Sequence, residues 1–248
     1  MLWRIPKRQA SSPIIRTHSI IASRCWVISP AGELIRNFKS IKQLLEALRD
    51  AIKGHRSLYT VGKILHRDIL ENNIIITDPN KTGGFTGMLI DLDLAKEVRS
   101  RRSGARHQTG TMEFMAIEVL LGYAHTYRHG LESFFYVLLW LCARHGWKFS
   151  GSSKDQPIPS MLTKWYSQSY KEIARIKRSD MGVDGFEDIM EEFPPLFDCV
   201  KPLCKTIRDI LFPYKDGLFT GTPKDPEVLY GTILKAFDDA IADIANTE

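Results

Sequence analysis

The chain of 248 residues is 44% hydrophobic and 25% charged, the balance of a soluble globular protein long enough to bury one sizeable core. Its net charge of +5 comes with neither a nucleic-acid motif nor a basic stripe interleaved with aromatics, so no nucleic-acid partner is expected. Cys25, Cys142, Cys199 and Cys204 form no C-x-x-C pair, which argues against a zinc site or a disulfide framework. The expected compartment is reduced and intracellular, cytoplasmic or nuclear, and not secreted.

In chain order, residues 1–32 carry Arg4, Lys7, Arg8, Arg16 and Arg24 and no acid. Such a start suits a mitochondrial transit segment. Because Ile20-Ile21 and Trp26-Val27-Ile28 read as strand, a small structured remnant is the preferred reading. The strand at Cys25 to Ile28 is broken by Ser29-Pro30-Ala31-Gly32. Ser40 then opens a helix, with Gln43 completing a capping box. Ile41, Leu44, Leu45, Leu48 and Ile52 form one apolar stripe along it.

A β-branched strand, Ile74 to Thr77, precedes a second at Met88 to Leu92, a hairpin joined by the turn formers Asp78-Pro79-Asn80-Lys81-Thr82-Gly83-Gly84. Leu131 to Ala143 is apolar nearly all round, the mark of a helix buried on every side. The longest apolar run, Phe134 to Ala143, is too short to span a bilayer, so no membrane partner is expected. Ser160 to Ile176 reads as one helix bearing Trp165, Tyr166, Tyr170 and Ile173. Leu196, Phe197, Val200, Leu203, Cys204 and Ile207 recur at helical spacing, with Pro202 marking a start or a kink. A last helix begins near Pro226 and turns Tyr230, Ile233, Leu234, Phe237, Ile241 and Ile244 inward. The fold class is α+β, mostly α.

Between the first helix and the hairpin lies His66-Arg67-Asp68-Ile69-Leu70-Glu71-Asn72-Asn73. It places a carboxylate and a carboxamide in a loop that feeds a strand. Phosphoryl transfer uses such a pair: a carboxylate accepts the proton of the attacking hydroxyl, and an amide oxygen helps hold magnesium. A surface turn with Arg67 and Asp68 merely solvated is the bland reading. Downstream, the apolar stretch Met88-Leu89-Ile90 ends in Asp91, and Gly110-Thr111-Met112-Glu113-Phe114-Met115-Ala116-Ile117-Glu118 follows. In that order the three segments resemble the H-R-D-x-x-x-x-N, D-F-G and A-P-E motifs of protein kinases. The wording is similar, more narrowly, to the fungal-type protein kinase family. That resemblance is carried by Gly54-His55-Arg56-Ser57-Leu58-Tyr59, Ile74-Ile75-Ile76-Thr77, Ser103-Gly104-Ala105-Arg106-His107, Glu132-Ser133-Phe134-Phe135-Tyr136 and Phe219-Thr220-Gly221-Thr222-Pro223-Lys224. It runs from about Phe38 to Ala242.

The resemblance implies a kinase-like C-terminal lobe over residues 33–248, with catalytic loop 66–73 and activation segment 91–118. Residues 1–32 would be a partial small lobe and hinge. It implies Asp68 as catalytic base with His66 and Arg67 beside it, Asn73 and Asp91 as ligands of magnesium and hence of ATP, and an unspecified protein substrate. Thr111 resembles the acceptor-side threonine of serine/threonine kinases.

Departures from the pattern give a contrasting expectation, a pseudokinase-like interaction module. No glycine precedes Gly32, so no G-x-G-x-x-G covers the phosphates, and no V-A-I-K lysine appears. A small lobe of five strands and a helix needs roughly forty residues before loops, more than stand ahead of Gly32. Either a longer reading frame supplies it or a large lobe stands alone, and weak binding of magnesium-ATP is expected of this chain. Leu70 occupies a usual lysine position, Asp93 replaces glycine, Ile117 replaces proline, and Gly130 stands where kinases place an aspartate that accepts from the catalytic loop. An aspartate at 130 is therefore expected to stabilise the loop. In the activation segment, Lys96, Arg99, Arg101, Arg102 and Arg106 are either a solvated basic loop or, with Arg67, a site for phosphate on Ser100, Ser103 or Thr109.

Overall fold

The computed structural model describes residues 16–20, 25–29, 32–98, 111–147, 160–215 and 217–246. Arg4, Lys7, Arg8 and Arg24, the Pro30-Ala31 part of the expected hinge, and the basic activation-segment stretch from Arg99 to Thr109 lie outside these residues. Strands β1 (Arg16–Ile20) and β2 (Cys25–Ser29) form an antiparallel hairpin pairing Arg16 with Ser29 and Ile20 with Cys25.

Helix α1 (Ile41–Thr60) starts where Ser40 Oγ accepts the Gln43 N–H at 3.1 Å. The Gln43 side chain returns to the Lys39 N–H at 2.8 Å, one residue earlier than a capping box requires. The apolar stripe buries Leu44, Leu45, Leu48 and Ile52 completely or nearly so. Each such side chain contributes about 1.5–3 kcal/mol relative to exposure.

One face of α1 lies on a three-stranded antiparallel sheet ordered β3 (Glu33–Leu34), β5 (Ile74–Ile76), β6 (Gly87–Leu89). Its register pairs Leu34 with Ile75 and Ile74 with Leu89. The approach is close: a Cβ on Gly87 would strike the Ala47 carbonyl. Buried Asp50 fixes the same contact, its Oδ2 accepting the Thr86 N–H at 2.9 Å while Arg49 lies 3.0 Å from its Oδ1. The β5–β6 connection includes a short helix, α2 (Pro79–Thr82), capped by Asp78 and closed by Gly83 at φ 72°. A second ladder joins β4 (Ile64–Leu65) to β7 (Lys96–Glu97). The chain from 66 to 73 therefore hangs between two fixed strands, β4 and β5.

Short helix α3 (Ile117–Leu120) leads to α4 (Tyr127–Trp147), in which every residue from Leu131 to Ala143 is buried. Around it pack α5 (Tyr170–Asp180), α6 (Val183–Glu191), α7 (Lys201–Leu211) and α8 (Glu227–Ala245). The architecture is mostly helical with few strands, an α+β arrangement. No helix among the described residues is long and apolar enough to cross a membrane.

One sequence expectation needs correcting. The single helix over Ser160 to Ile176 is two elements, a 3-10 turn at Met161–Trp165 and then α5. Ser169 and Glu172 make a reciprocal capping box, which satisfies the first N–H groups of a new helix at Tyr170 and leaves Tyr166 partly exposed. The stripe from Leu196 to Ile207 begins as a 3-10 segment, Pro195–Val200, followed by α7. Pro202 lies in the first turn of α7, the start rather than the kink of the two expected readings, and Leu196 is 60% exposed.

Candidate active site

The loop between β4 and β5 brings the expected residues together through contacts of its own. Asn73, 7% exposed, donates from Nδ2 to the Asp68 carbonyl at 2.9 Å and to Asp68 Oδ2 at 3.0 Å. A carbonyl can only accept, so the amide orientation is fixed and Oδ1 is left as the ligand atom. The Asn73 carbonyl accepts the Ile90 N–H at 2.9 Å. His66, fully buried, meets the Ile90 carbonyl with Nε2 at 3.0 Å. Nε2 must therefore carry the hydrogen, and Nδ1 accepts the Asp68 N–H at 3.4 Å. Two hydrogen bonds thus tie the loop to the residue immediately before Asp91.

Arg67 and Asp91 both adopt left-handed backbone, at φ 72° and 66°. Positive φ is unusual for residues other than glycine, although Asp tolerates it better than most. At position 91 it is accompanied by an Asx-type turn in which Asp91 Oδ1 accepts the Asp93 N–H at 3.0 Å. Asp93 in a glycine's place is therefore accommodated. Leu92 is 48% exposed.

Burial pushes the Asp68 carboxyl upward, the Asn73 amide opposes this, and the charge of Asp91 adds to the rise. Asp68 is thus a better proton acceptor than a solvated carboxylate, and it faces Asp91 closely enough to feel its charge. Burial lowers His66 against the Ile90 carbonyl and Asp91, which suits a neutral, orienting imidazole.

Asn73 and Asp91 fit a magnesium ion that keeps waters and shares phosphate oxygens, the usual arrangement for nucleotide-bound magnesium, which does not require an all-protein cage. Among the described residues no group of three or more His, Cys, Asp or Glu is placed to hold a metal by itself.

Beneath the loop is a cavity of about 20 Å³, lined among others by Asp68, Arg67, Thr111, Phe114, Met115 and His55. Its far wall is the segment before α3, a 3-10 turn at Met112–Phe114 that follows exposed Thr111. This wall is held from a distance. Glu132 of α4 accepts the Ile117 N–H and the Tyr136 hydroxyl at Oε1, each at 2.7 Å, and pairs with Arg128 at 2.5 Å. Arg128 is 1% exposed and also donates to the Leu211 carbonyl at 2.6 Å. Glu118 meets His129 Nε2 at 2.9 Å and Thr220 Oγ1 at 3.1 Å, and the His129 bond is the main cause of its lowered pKa.

Gly130 overturns an expectation. It is the fourth residue of α4, and a Cβ there would run into the imidazole of His55, which fills the space. His55 is 2% exposed, bonded through Nδ1 to Tyr230 Oη at 2.7 Å, and drawn down to about 3 by burial. A carboxylate at 130 is excluded by contact.

The sequence reading also missed Lys177, which contacts the same wall. Its one signal was a position on the buried stripe of α5, four residues after Ile173 and three after Ala174.

Comparison with known proteins adds the context. A probable serine/threonine-protein kinase of Dictyostelium discoideum is 32% identical over 182 residues, covering 71% of this chain and 40% of that protein. The dual specificity testis-specific protein kinase 1 of Rattus norvegicus is 33% identical over 99 residues, 38% of this chain and 15% of that protein. The chain thus spans less than half the length of either relative. The fungal protein kinase family model matches residues 6–142, starting before Phe38 and taking in the whole loop, the Asp91 segment and most of α4. The chain belongs to the fungal protein kinase family.

Proposed function

We propose that this chain carries the catalytic-loop half of an ATP-dependent phosphoryl transfer to serine or threonine of a protein. The observation that carries the reading is the joint placement of Asp68, Asn73 and Asp91, with Asn73 fastened to Asp68 and the loop stapled to Ile90. Asp68 orients the acceptor hydroxyl and takes its proton, a task helped by its raised pKa. Asn73 Oδ1 and the Asp91 carboxylate hold the magnesium that accompanies ATP. When bound, that ion neutralises charge on the transferred phosphate. His66 keeps the loop in register with Asp91, and Arg67 takes the left-handed turn that presents Asp68. Acceptor choice rests on exposed Thr111 and on the name of the Dictyostelium relative.

The test is transfer of label from magnesium-ATP to a mixture of proteins by the chain and by Asp68→Asn. Label on serine and threonine that disappears in the variant supports the reading. Label that survives the change, or falls mainly on tyrosine, contradicts it.

Leu70 favours a second reading, an interaction module without catalysis. Its side chain is packed against the core and supplies no cation beside Asp68. That reading predicts no labelling by any form of the chain.

A further inference from the structure

Lys177 is 0% exposed and has no carboxylate within ion-pair distance among the described residues. Its ammonium has three hydrogens, and three backbone carbonyls receive them: Met112 at 3.3 Å, Glu113 at 2.8 Å and Met115 at 2.7 Å. The cation also lies 4.0 Å from the ring centre of Tyr136 and 4.9 Å from that of Trp165. Trp165 is in turn fixed by donating to Asp180 at 2.7 Å. A buried ammonium is costly unless it is hydrogen-bonded, and here the bonds come from the carbonyls of residues 112–115 while the ring faces come from Tyr136 of α4 and Trp165 of the 3-10 turn before α5. Three carbonyls within four residues, converging on one cation, define the path of residues 112–115. Phe114 and Met115 of that stretch line the cavity that Asp68 also lines.

We propose that Lys177 is a positioning residue for the acceptor side of the cleft, its ammonium clamping residues 112–115 so that an acceptor polypeptide meets Asp68 at a set distance. It touches no reacting atom and acts through the backbone it holds. The inference deepens the phosphoryl-transfer reading, on which the acceptor depends, but the clamp itself is independent of catalysis.

Backbone hydrogen exchange at pH 6 tests it, since burial brings the Lys177 ammonium down to about 7 and it is charged there. The Phe114, Met115 and Ile117 N–H groups are all bonded in the folded chain and report the wall. In Lys177→Ala these should exchange at least roughly tenfold faster while amides in the middle of α4 keep their protection, the pattern of a local opening. Added n-propylammonium should restore the slow exchange, and 1-propanol, of similar size but uncharged, should not. Lys177→Met, which fills the volume without charge, should behave as the alanine variant does and provides the reading if the smaller side chain prevents folding. Wild-type exchange in Lys177→Met, or equal rescue by the alcohol, would show that filling alone matters and would overturn the clamp. Where the chain transfers phosphate, Lys177→Met should raise KM for the acceptor and leave KM for ATP unchanged. Loosened amides in a chain that never labels protein would leave the clamp standing and sink the catalytic reading. Unchanged amides would sink the clamp whatever Asp68 does.

Discussion

The two sides of the cleft are built differently. The 66–73 loop fastens itself: Asn73 reaches back five residues to Asp68, and His66 and Asn73 hold Ile90 across a hairpin. The opposite wall, residues 111–118, is held by side chains from α4 and α5, chiefly Glu132, His129 and Lys177. The first kind of construction keeps the candidate groups in one short stretch of sequence. The second makes the wall depend on buried polar residues whose loss is costly, because each would leave a charge or a backbone group without a partner.

The largest effect expected on that contrast is from Glu132→Ala. It strands the Arg128 guanidinium in the interior and frees the Ile117 N–H, and breaking a buried pair in this way costs about 3–5 kcal/mol. Urea unfolding should show a midpoint far below wild type. A loss under about 1 kcal/mol would mean that water enters to replace the pair.

Next comes Gly130→Asp, which forces a carboxylate against His55 and should destabilise by about 1–3 kcal/mol. Combining it with His55→Ala should recover part of the loss. A higher melting temperature for the single variant would restore the sequence expectation and refute the packing.

The smallest effect is a slope. His55 titrates near 3 in the folded chain and near 6.5 when unfolded. Between those values the unfolded chain binds more protons, so stability falls as pH drops from about 6.5 toward 3. The slope reaches at most about 1.4 kcal/mol per pH unit. His55→Gln should lose less stability than wild type between pH 7 and 4.5, measured by urea midpoints. Equal losses would show that His55 is not held neutral.

These residues also show what the sequence could reveal. His66, Arg67, Asp68, Asn73 and Asp91 were picked out by their resemblance to kinase motifs, and the contact of Asn73 with Asp68 was within reach of the sequence because the two are only five residues apart. The α1 stripe and the all-round burial of α4 were readable from period and composition. Lys177 and His55 were not, since their partners lie more than sixty and about seventy-five residues away and no local pattern marks a buried lysine or an imidazole over a glycine. The break between Trp165 and Tyr170 was hidden because apolar spacing continues across it, while the Ser169–Glu172 box that starts α5 was passed over.

The central claim, that Asp68 serves the acceptor while Asn73 and Asp91 serve the metal nucleotide, is tested most directly in a form of the protein that binds magnesium-ATP and turns over, by measuring turnover and nucleotide affinity together in Asp68→Asn and Asp91→Ala. The predicted result is that Asp68→Asn abolishes turnover with nucleotide affinity nearly intact, and that Asp91→Ala weakens both. Equal loss of affinity from the two changes, or turnover that persists without the Asp68 carboxylate, would contradict the assignment.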